Sequence, residues 1–173
     1  MTDKSIVLVG FMGSGKSALG RIIAGKLGMP HSDMDQLIQS RAGMTISEIF
    51  AGSGEEAFRD METELLRELA APGREPAVYS TGGGVVMRPE NRELMRQIGT
   101  VILLDITPES VLTRLSRDTK RPLLQSPDRK ARVEELMQKR RPAYLDAADY
   151  ILSVDNRTKD ENAARLMKLL EEI

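Results

Sequence analysis

Four short apolar runs, separated by longer amphipathic stretches, constrain the fold of this chain most strongly. Each run is almost continuously apolar, which is typical of strands buried on both faces of a sheet. A weaker fifth candidate covers residues 30–33. Because strands and helices alternate along the chain, we predict an α/β fold with a parallel sheet between two helical layers. The four runs are SIVLVG (5–10), AVYST (77–81), TVILLDI (100–106) and DYILSV (149–154).

The stretches between these runs contain apolar residues at helical spacing. Thr45 and Glu48 have the spacing of a capping box, and Pro108 stands at the first position of another helix. Pro142 follows two arginines, which predicts that the helix before it ends at about residue 140. The predicted helices cover approximately residues 16–28, 45–50, 55–70, 107–118, 128–140 and 159–173.

Composition rules out several classes of protein and of site. The chain has 173 residues, enough for one domain, and no cysteine, which excludes disulfides, zinc–thiolate sites and thiol nucleophiles. Its single histidine, His31, argues against a His-rich metal site or a Ser-His-Asp triad. A net charge of −1 argues against a nucleic-acid partner. With no leader pattern and no long apolar segment, we expect a cytoplasmic protein without a membrane partner.

The segment GFMGSGKS, from Gly10 to Ser17, follows the first apolar run and opens an amphipathic helix. It matches G-x-x-x-x-G-K-S/T, in which glycines let backbone N–H groups approach phosphates at a helix N-terminus. Lys16 is expected to reach the terminal phosphates, and Ser17 to hold Mg²⁺. The alternative is a plain glycine turn. The nucleotide-binding residues predicted here are Gly13, Ser14, Gly15, Lys16, Ser17 and Ala18.

Two missing motifs narrow the class of nucleotide-binding protein. The chain has no N-K-x-D sequence of the kind that reads guanine, which argues against a GTPase switch. No apolar run ends in an Asp-Glu pair, since Ile106 follows Asp105, which argues against an ATPase motor. A small-molecule kinase is therefore the leading class.

Candidate acceptor-binding residues lie further along the chain. Asp33 and Asp35 flank a strand-to-helix junction, where one carboxylate can face a metal and the other an acceptor hydroxyl. Asp33 could instead only cap the following helix. Arg59 and Glu62, three residues apart, could be a surface pair or could direct Arg59 into a cleft. Three consecutive glycines, 82–84, follow a predicted strand, where backbone can approach a ligand closely.

Basic residues near the end of the chain have two interpretations. Arg114 and Arg121 belong to a charged segment that is either solvated surface or a lid placing an arginine on the transferred phosphate. Arg140 and Arg141 precede Pro142, where they could complement the helix dipole or clamp a carboxylate.

Six motifs in series resemble those of the shikimate kinase family, nearly from end to end. They are GFMGSGKS, DMD, GEEAFRDMETELL, STGGGVV, RPLL and KRRPAYLDAADY. The resemblance implies a P-loop, nucleoside-monophosphate-kinase-like fold with a five-stranded parallel sheet, in one domain covering residues 1–173. It also implies an acceptor-binding region at about 33–62, a lid at about 114–127, a monomer, and transfer of the ATP γ-phosphate to the 3-hydroxyl of shikimate in aromatic amino acid biosynthesis.

The resemblance assigns roles to matching residues. Catalysis falls to Asp35 as the base and to Lys16 and Arg121 on the phosphates. Mg²⁺, bound with ATP, would be held by Ser17 and, through water, by Asp33. Arg114 and Arg157 would lie near the adenine, and Glu62 would orient Arg59. The residues implied to bind shikimate are Asp35, Arg59, Gly82, Gly83, Gly84 and Arg140.

Two rival functions remain open at this point. A gluconate kinase or another small-metabolite kinase could use the same scaffold. A nucleotide-binding regulatory protein that has lost phosphoryl transfer is the rival from another class, although Lys16, Asp35 and Arg121 argue against it.

Overall fold

Five parallel strands form one sheet in the order β2-β3-β1-β4-β5. The structure, a computed structural model, describes residues 4–116 and 127–173. All four strong strand candidates and the weaker one at 30–33 form strands, so the predicted five-stranded parallel sheet is confirmed. The strands are β1 (Ser5–Val9), β2 (His31–Asp33), β3 (Val78–Ser80), β4 (Gly99–Asp105) and β5 (Tyr150–Ser153).

Helices connect the strands and cover the sheet. Helix α1 packs on the sheet and against α7, whereas α4 and α6 pack on each other and on β4. The apolar residues of β1 and β4 lie between these layers, which gives the predicted three-layer core. The helices are α1 (Lys16–Leu27), α2 (Met34–Ala42), α3 (Ile46–Leu69), α4 (Pro89–Ile98), α5 (Pro108–Leu115), α6 (Arg129–Ala147) and α7 (Lys159–Glu172), and a 3₁₀ turn covers Val85–Met87.

Three helical predictions need correction. The stretches 45–50 and 55–70 form one element, α3, which kinks at Gly54 because that glycine has non-helical backbone angles (φ 86°, ψ 169°). Helix α4, which begins with Pro89, was not predicted. Helix α6 does not end before Pro142 but continues to Ala147, because Tyr144 and Ala147 extend its buried face beyond the proline. A helix-dipole role for Arg140 and Arg141 at a helix end is therefore wrong.

The strand order places two glycine-rich loops side by side. Strand β1 leads into the GFMGSGKS loop and β3 leads into glycines 82–84, and these two strands are paired directly, with Leu8 beside Ser80. From β1 the chain crosses to β2 at one edge, whereas from β3 it crosses to β4 on the other side of β1. In parallel sheets, ligands bind at such a switch in strand order, beyond the carboxyl ends of the strands.

Candidate active site

The loop after β1 has the backbone of a phosphate cradle. Gly13 and Gly15 have φ angles of 78° and 90°, which residues with a β-carbon rarely adopt, and α1 begins immediately afterwards at Lys16. The Lys16 ammonium group folds over the loop and donates to the carbonyl groups of Gly10 (2.6 Å) and Phe11 (3.1 Å). The helix N-terminus and this ammonium group together favour a negatively charged ligand.

Asp33 connects the start of α2 to Ser17 of the GFMGSGKS motif. Its Oδ1 accepts from the backbone N–H of Gln36 at 3.2 Å, so it caps α2. Its other carboxylate oxygen accepts a hydrogen bond from the Ser17 hydroxyl. A hydroxyl and a carboxylate oxygen beside a phosphate cradle are the ligand types that Mg²⁺ uses in protein sites, with phosphates and water completing its coordination. The residues present therefore fit this ion.

Asp35 and Glu62 meet at Gly82. A β-carbon on Gly82 would lie 2.8 Å from Oδ1 of Asp35 and 3.0 Å from Oε2 of Glu62. A side chain at this position would displace one or both carboxylates. The glycine therefore lets the segment after β3 approach the N-terminus of α2 and the middle of α3 closely.

Glu62 fixes Arg59 in the cleft. The Arg59 guanidinium donates to Oε1 of Glu62 at 2.6 Å and to Glu55 at 3.1 Å, and its carbon lies 5.3 Å from the centroid of the Phe58 ring. The side chains of Arg59 and Glu62 are 13% and 1% exposed, so the pair is not a solvated surface pair. A β-carbon on Gly84 would lie 2.6 Å from Nη1 of Arg59, so the guanidinium lies directly against the glycine segment.

Burial changes the acid–base behaviour of this pair. Burial raises the pKa of Glu62 to about 7, with Asp35 adding to the rise while Arg59 and Arg140 oppose it. Burial alone would lower the pKa of Arg59, but the Glu62 and Glu55 carboxylates outweigh it and raise that pKa above its usual range. Arg59 therefore stays cationic, whereas the charge on Glu62 changes near neutral pH.

Arg140 approaches the glycines from α6. Arg140 is 8% exposed, and its guanidinium carbon lies 5.7 Å from the centroid of the Phe11 ring. Nη1 of Arg140 would be 3.1 Å from a β-carbon on Gly83. Arg59 from α3 and Arg140 from α6 thus both lie against glycines 82–84.

Arg114 and Arg157 lie on the other side of the phosphate loop. The Arg114 guanidinium donates to the carbonyl groups of Gly13 (3.0 Å) and Val154 (2.7 Å), while Arg157 donates to the carbonyl of Asp155 at 3.1 Å. Both arginines line a shallow groove between α5 and the start of α7. Arg121 and most of the predicted lid at about 114–127 lie outside the described residues.

Sequence reasoning missed part of the site's support. Asn91 donates from Nδ2 to the Val85 carbonyl at 2.9 Å, and Arg92 donates to the Val86 carbonyl at 2.8 Å. Both residues belong to the first turns of α4 and hold the backbone immediately after glycines 82–84. Pro89 at the first helical position, followed by Glu90, was the signal that could have predicted this helix.

Comparison with known proteins identifies the family. The family model for shikimate kinase matches residues 12–171. Shikimate kinases from Symbiobacterium thermophilum and Thermodesulfovibrio yellowstonii are 44% and 40% identical to this chain, covering 97% and 98% of it and 97% and 96% of their own lengths. The chain belongs to the shikimate kinase family. It is therefore a member of a family of ATP-dependent enzymes that phosphorylate shikimate in aromatic amino acid biosynthesis, as the six motifs predicted.

Solved structures agree with this assignment. A shikimate kinase from Acinetobacter baumannii, solved in complex with shikimate, superimposes with a TM-score of 0.92 at 36% identity, covering 99% of this chain and 94% of its own. A shikimate kinase from Aquifex aeolicus gives a TM-score of 0.82 at 34% identity, with 96% of each chain covered. A sugar kinase from Janibacter gives 0.63 at 15% identity, which shows a shared fold alone. The predicted P-loop kinase fold is confirmed.

Residues 4–116 and 127–173 show neither a membrane-spanning helix nor a metal-binding cluster of side chains. This part of the chain has no helix both long and apolar enough to cross a membrane. It also has no group of three or more acidic, histidine or cysteine side chains arranged around a common metal position.

Proposed function

We propose that this chain transfers the γ-phosphate of ATP to the 3-hydroxyl of shikimate, giving shikimate 3-phosphate and ADP. The observation that carries the proposal is the family match over residues 12–171. The pair of arginines at glycines 82–84, Arg59 and Arg140, supports it, because two guanidinium groups suit the carboxylate of a small cyclic acid. The shikimate-bound relative from Acinetobacter baumannii supports the same acceptor.

In this proposal, Arg59, Arg140 and glycines 82–84 hold the carboxylate and ring of shikimate. Glu62 keeps Arg59 turned toward the glycines through its 2.6 Å ion pair. Asp35, which reaches Gly82 from the start of α2, orients the acceptor hydroxyl and receives its proton. Transfer of a phosphoryl group depends mainly on positioning and charge stabilisation, which these buried charges provide.

On the nucleotide side, the loop from Gly13 to Ala18 surrounds the phosphates and Lys16 leaves the Gly10 and Phe11 carbonyls to reach them. Ser17 directly, and Asp33 through water, would hold Mg²⁺, which would neutralise charge on the phosphates. Arg114 and Arg157 would lie beside the adenine, and Arg121, which is outside the described residues, would contact the transferred phosphate. We further propose a single kinase domain over residues 1–173 that acts as a cytoplasmic monomer.

A coupled ADP-release assay with ATP and Mg²⁺ tests this proposal, with shikimate and gluconate as separate acceptors. We expect shikimate-dependent ADP release and none above background with gluconate. Release with gluconate alone would replace the proposal with a sugar-acid kinase on the same scaffold. ATP binding without ADP release for either acceptor would indicate a nucleotide-binding regulatory protein that has lost phosphoryl transfer.

A further inference from the structure

The hydroxyl group of Tyr144 lies between two parts of the acceptor site. It donates a hydrogen bond to the Gly83 carbonyl and lies close to the Arg140 guanidinium. A β-carbon on Gly83 would lie 3.1 Å from Nη1 of Arg140 and 3.7 Å from the Tyr144 hydroxyl, so both side chains lie against Gly83. Tyr144 is 5% exposed, so water does not compete freely for this hydrogen bond.

Both partners of this hydroxyl need restraint. Gly83 and Gly84 have no side chains to restrict their backbone angles. The peptide bonds in the described chain are trans, so fixing the Gly83 carbonyl also fixes the direction of the Gly84 N–H. The arginine side chain has several rotatable bonds, so it loses conformational freedom when it is ordered. A bond that orders these groups in the free enzyme lowers the cost of binding.

We propose that Tyr144 is a positioning residue for the carboxylate of the acceptor. Its hydroxyl holds the Gly83–Gly84 peptide and the Arg140 guanidinium in the arrangement that receives this carboxylate. The inference rests on the proposed function, in which these groups bind shikimate. The role of Tyr144 is indirect, since it acts through Arg140 and Gly83.

The hydroxyl keeps its proton under ordinary assay conditions. Burial raises the pKa of Tyr144 to about 12, although the nearby Arg140 opposes the rise. The phenol therefore donates to Gly83 at every pH at which the enzyme is assayed, and the effect of removing it should not depend on pH between about 6 and 9.

The test compares Tyr144→Phe with Tyr79→Phe, a matched change at another buried tyrosine, on β3, where the charged group that acts on the hydroxyl is Arg74 and not Arg140. Steady-state kinetics measure KM for shikimate, KM for ATP and kcat. For Tyr144→Phe we expect KM for shikimate to rise roughly tenfold, the effect of losing one buried hydrogen bond, with KM for ATP unchanged. Tyr79→Phe should leave both constants unchanged.

A spectroscopic measurement separates positioning from folding. The chain has three tyrosines and no tryptophan, so a near-ultraviolet difference spectrum on adding shikimate reports on tyrosine environments. We expect the parent, Tyr79→Phe and Tyr150→Phe to show this signal and Tyr144→Phe to lose it. A signal that persists in Tyr144→Phe, or a shikimate KM within twofold of the parent, would overturn the inference even if the melting temperature falls.

Failure of the inference is distinguishable from failure of the proposed function. If the parent enzyme releases ADP with shikimate while Tyr144→Phe keeps its shikimate KM, only the role of Tyr144 is wrong. If the parent releases no ADP with shikimate, the proposed function fails, and the inference falls with it.

Discussion

The two halves of the site hold their charged groups in different ways. On the proposed acceptor side, Glu62 and Arg140 are buried, the Arg59 side chain is 13% exposed, and all three lie against one short glycine segment. On the proposed nucleotide side, Arg114 and Arg157 are exposed and donate to backbone carbonyl groups around a shallow groove. Buried charges are costly unless their partners are well placed, whereas exposed charges interact weakly through water. The acceptor side is therefore where single substitutions should have large and specific effects.

The largest effect is expected at Asp35, which lies against Gly82. Replacing it by Asn removes the proposed proton acceptor while keeping the shape of the side chain. We expect kcat to fall on the order of 10²–10⁴-fold, with the affinity for ATP unchanged, as measured by steady-state kinetics and by equilibrium titration with ATP. Near-normal turnover would show that Asp35 does not receive the proton.

Arg140 and Arg141, adjacent residues of α6, form a matched pair for testing the effect of burial on KM for shikimate. Arg140 is buried against the glycines, whereas Arg141 is exposed and pairs with Asp105 at 3.0 Å. We expect Arg140→Ala to raise KM for shikimate by the equivalent of roughly 2–5 kcal/mol, and Arg141→Ala to leave it nearly unchanged. Equal effects from the two variants would remove the distinction between buried and exposed charges on this helix.

Glu62 should make stability depend on pH. Its folded pKa of about 7 exceeds the ordinary value of 4.5, so between these pH values the folded protein keeps a proton that the unfolded chain has lost. The free energy of unfolding should therefore fall as pH rises through this window, by about 3 kcal/mol from this group.

Urea unfolding at pH 5 and pH 8 measures this contribution. In Glu62→Gln, the free energy of unfolding should differ less between pH 5 and pH 8 than in the parent, because the contribution of Glu62 is absent. Glu64→Gln, a change at an exposed carboxylate two residues away, should keep the pH dependence of the parent. If all three proteins have the same pH dependence, Glu62 does not titrate near neutral pH.

A smaller effect tests how closely α1 lies against the sheet. A β-carbon on Gly20 would lie 2.5 Å from the Ser80 hydroxyl oxygen and 2.7 Å from Nε2 of His31, whereas a β-carbon on Gly25 would meet nothing within 4 Å. We expect Gly20→Ala to destabilise the protein by about 1–3 kcal/mol, and Gly25→Ala to stabilise it by about 0.5–1 kcal/mol. Thermal unfolding distinguishes the two variants. A higher melting temperature for both would show that Ser80 and His31 can move away from a side chain at position 20 without cost.

The smallest effect is expected at Arg157, which is exposed and donates to the Asp155 carbonyl of its own loop. Arg157→Ala should change KM for ATP by less than about fivefold, the range of exposed charge contacts. Arg114→Ala should raise KM for ATP more, because the Arg114 guanidinium donates hydrogen bonds to the carbonyl groups of both Gly13 and Val154. If Arg157→Ala raised KM for ATP by as large a factor as Arg140→Ala raises KM for shikimate, the two sides of the site would not differ in their sensitivity to substitution.

Much of this molecule could be predicted from local patterns. Buried parallel strands are continuously apolar, so all five strands were found, and the GFMGSGKS loop identified the phosphate cradle because its chemistry depends on backbone and therefore on glycine. Helix α4 was missed, although Pro89 and Glu90 marked its start. The end of α6 was misplaced because Pro142 suggested a stop that the burial of Tyr144 overrides.

The sequence by itself determined the order of the strands, the phosphate loop and the family, because each depends on residues close together in the chain. Only the tertiary structure decided which distant groups meet. It brought Tyr144 and Arg140 of α6 to Gly83, and Glu62 of α3 to Gly82, from positions about 20 to 60 residues away. Whether a charge or a hydroxyl is buried depends on packing between such elements, and local sequence patterns do not specify that packing.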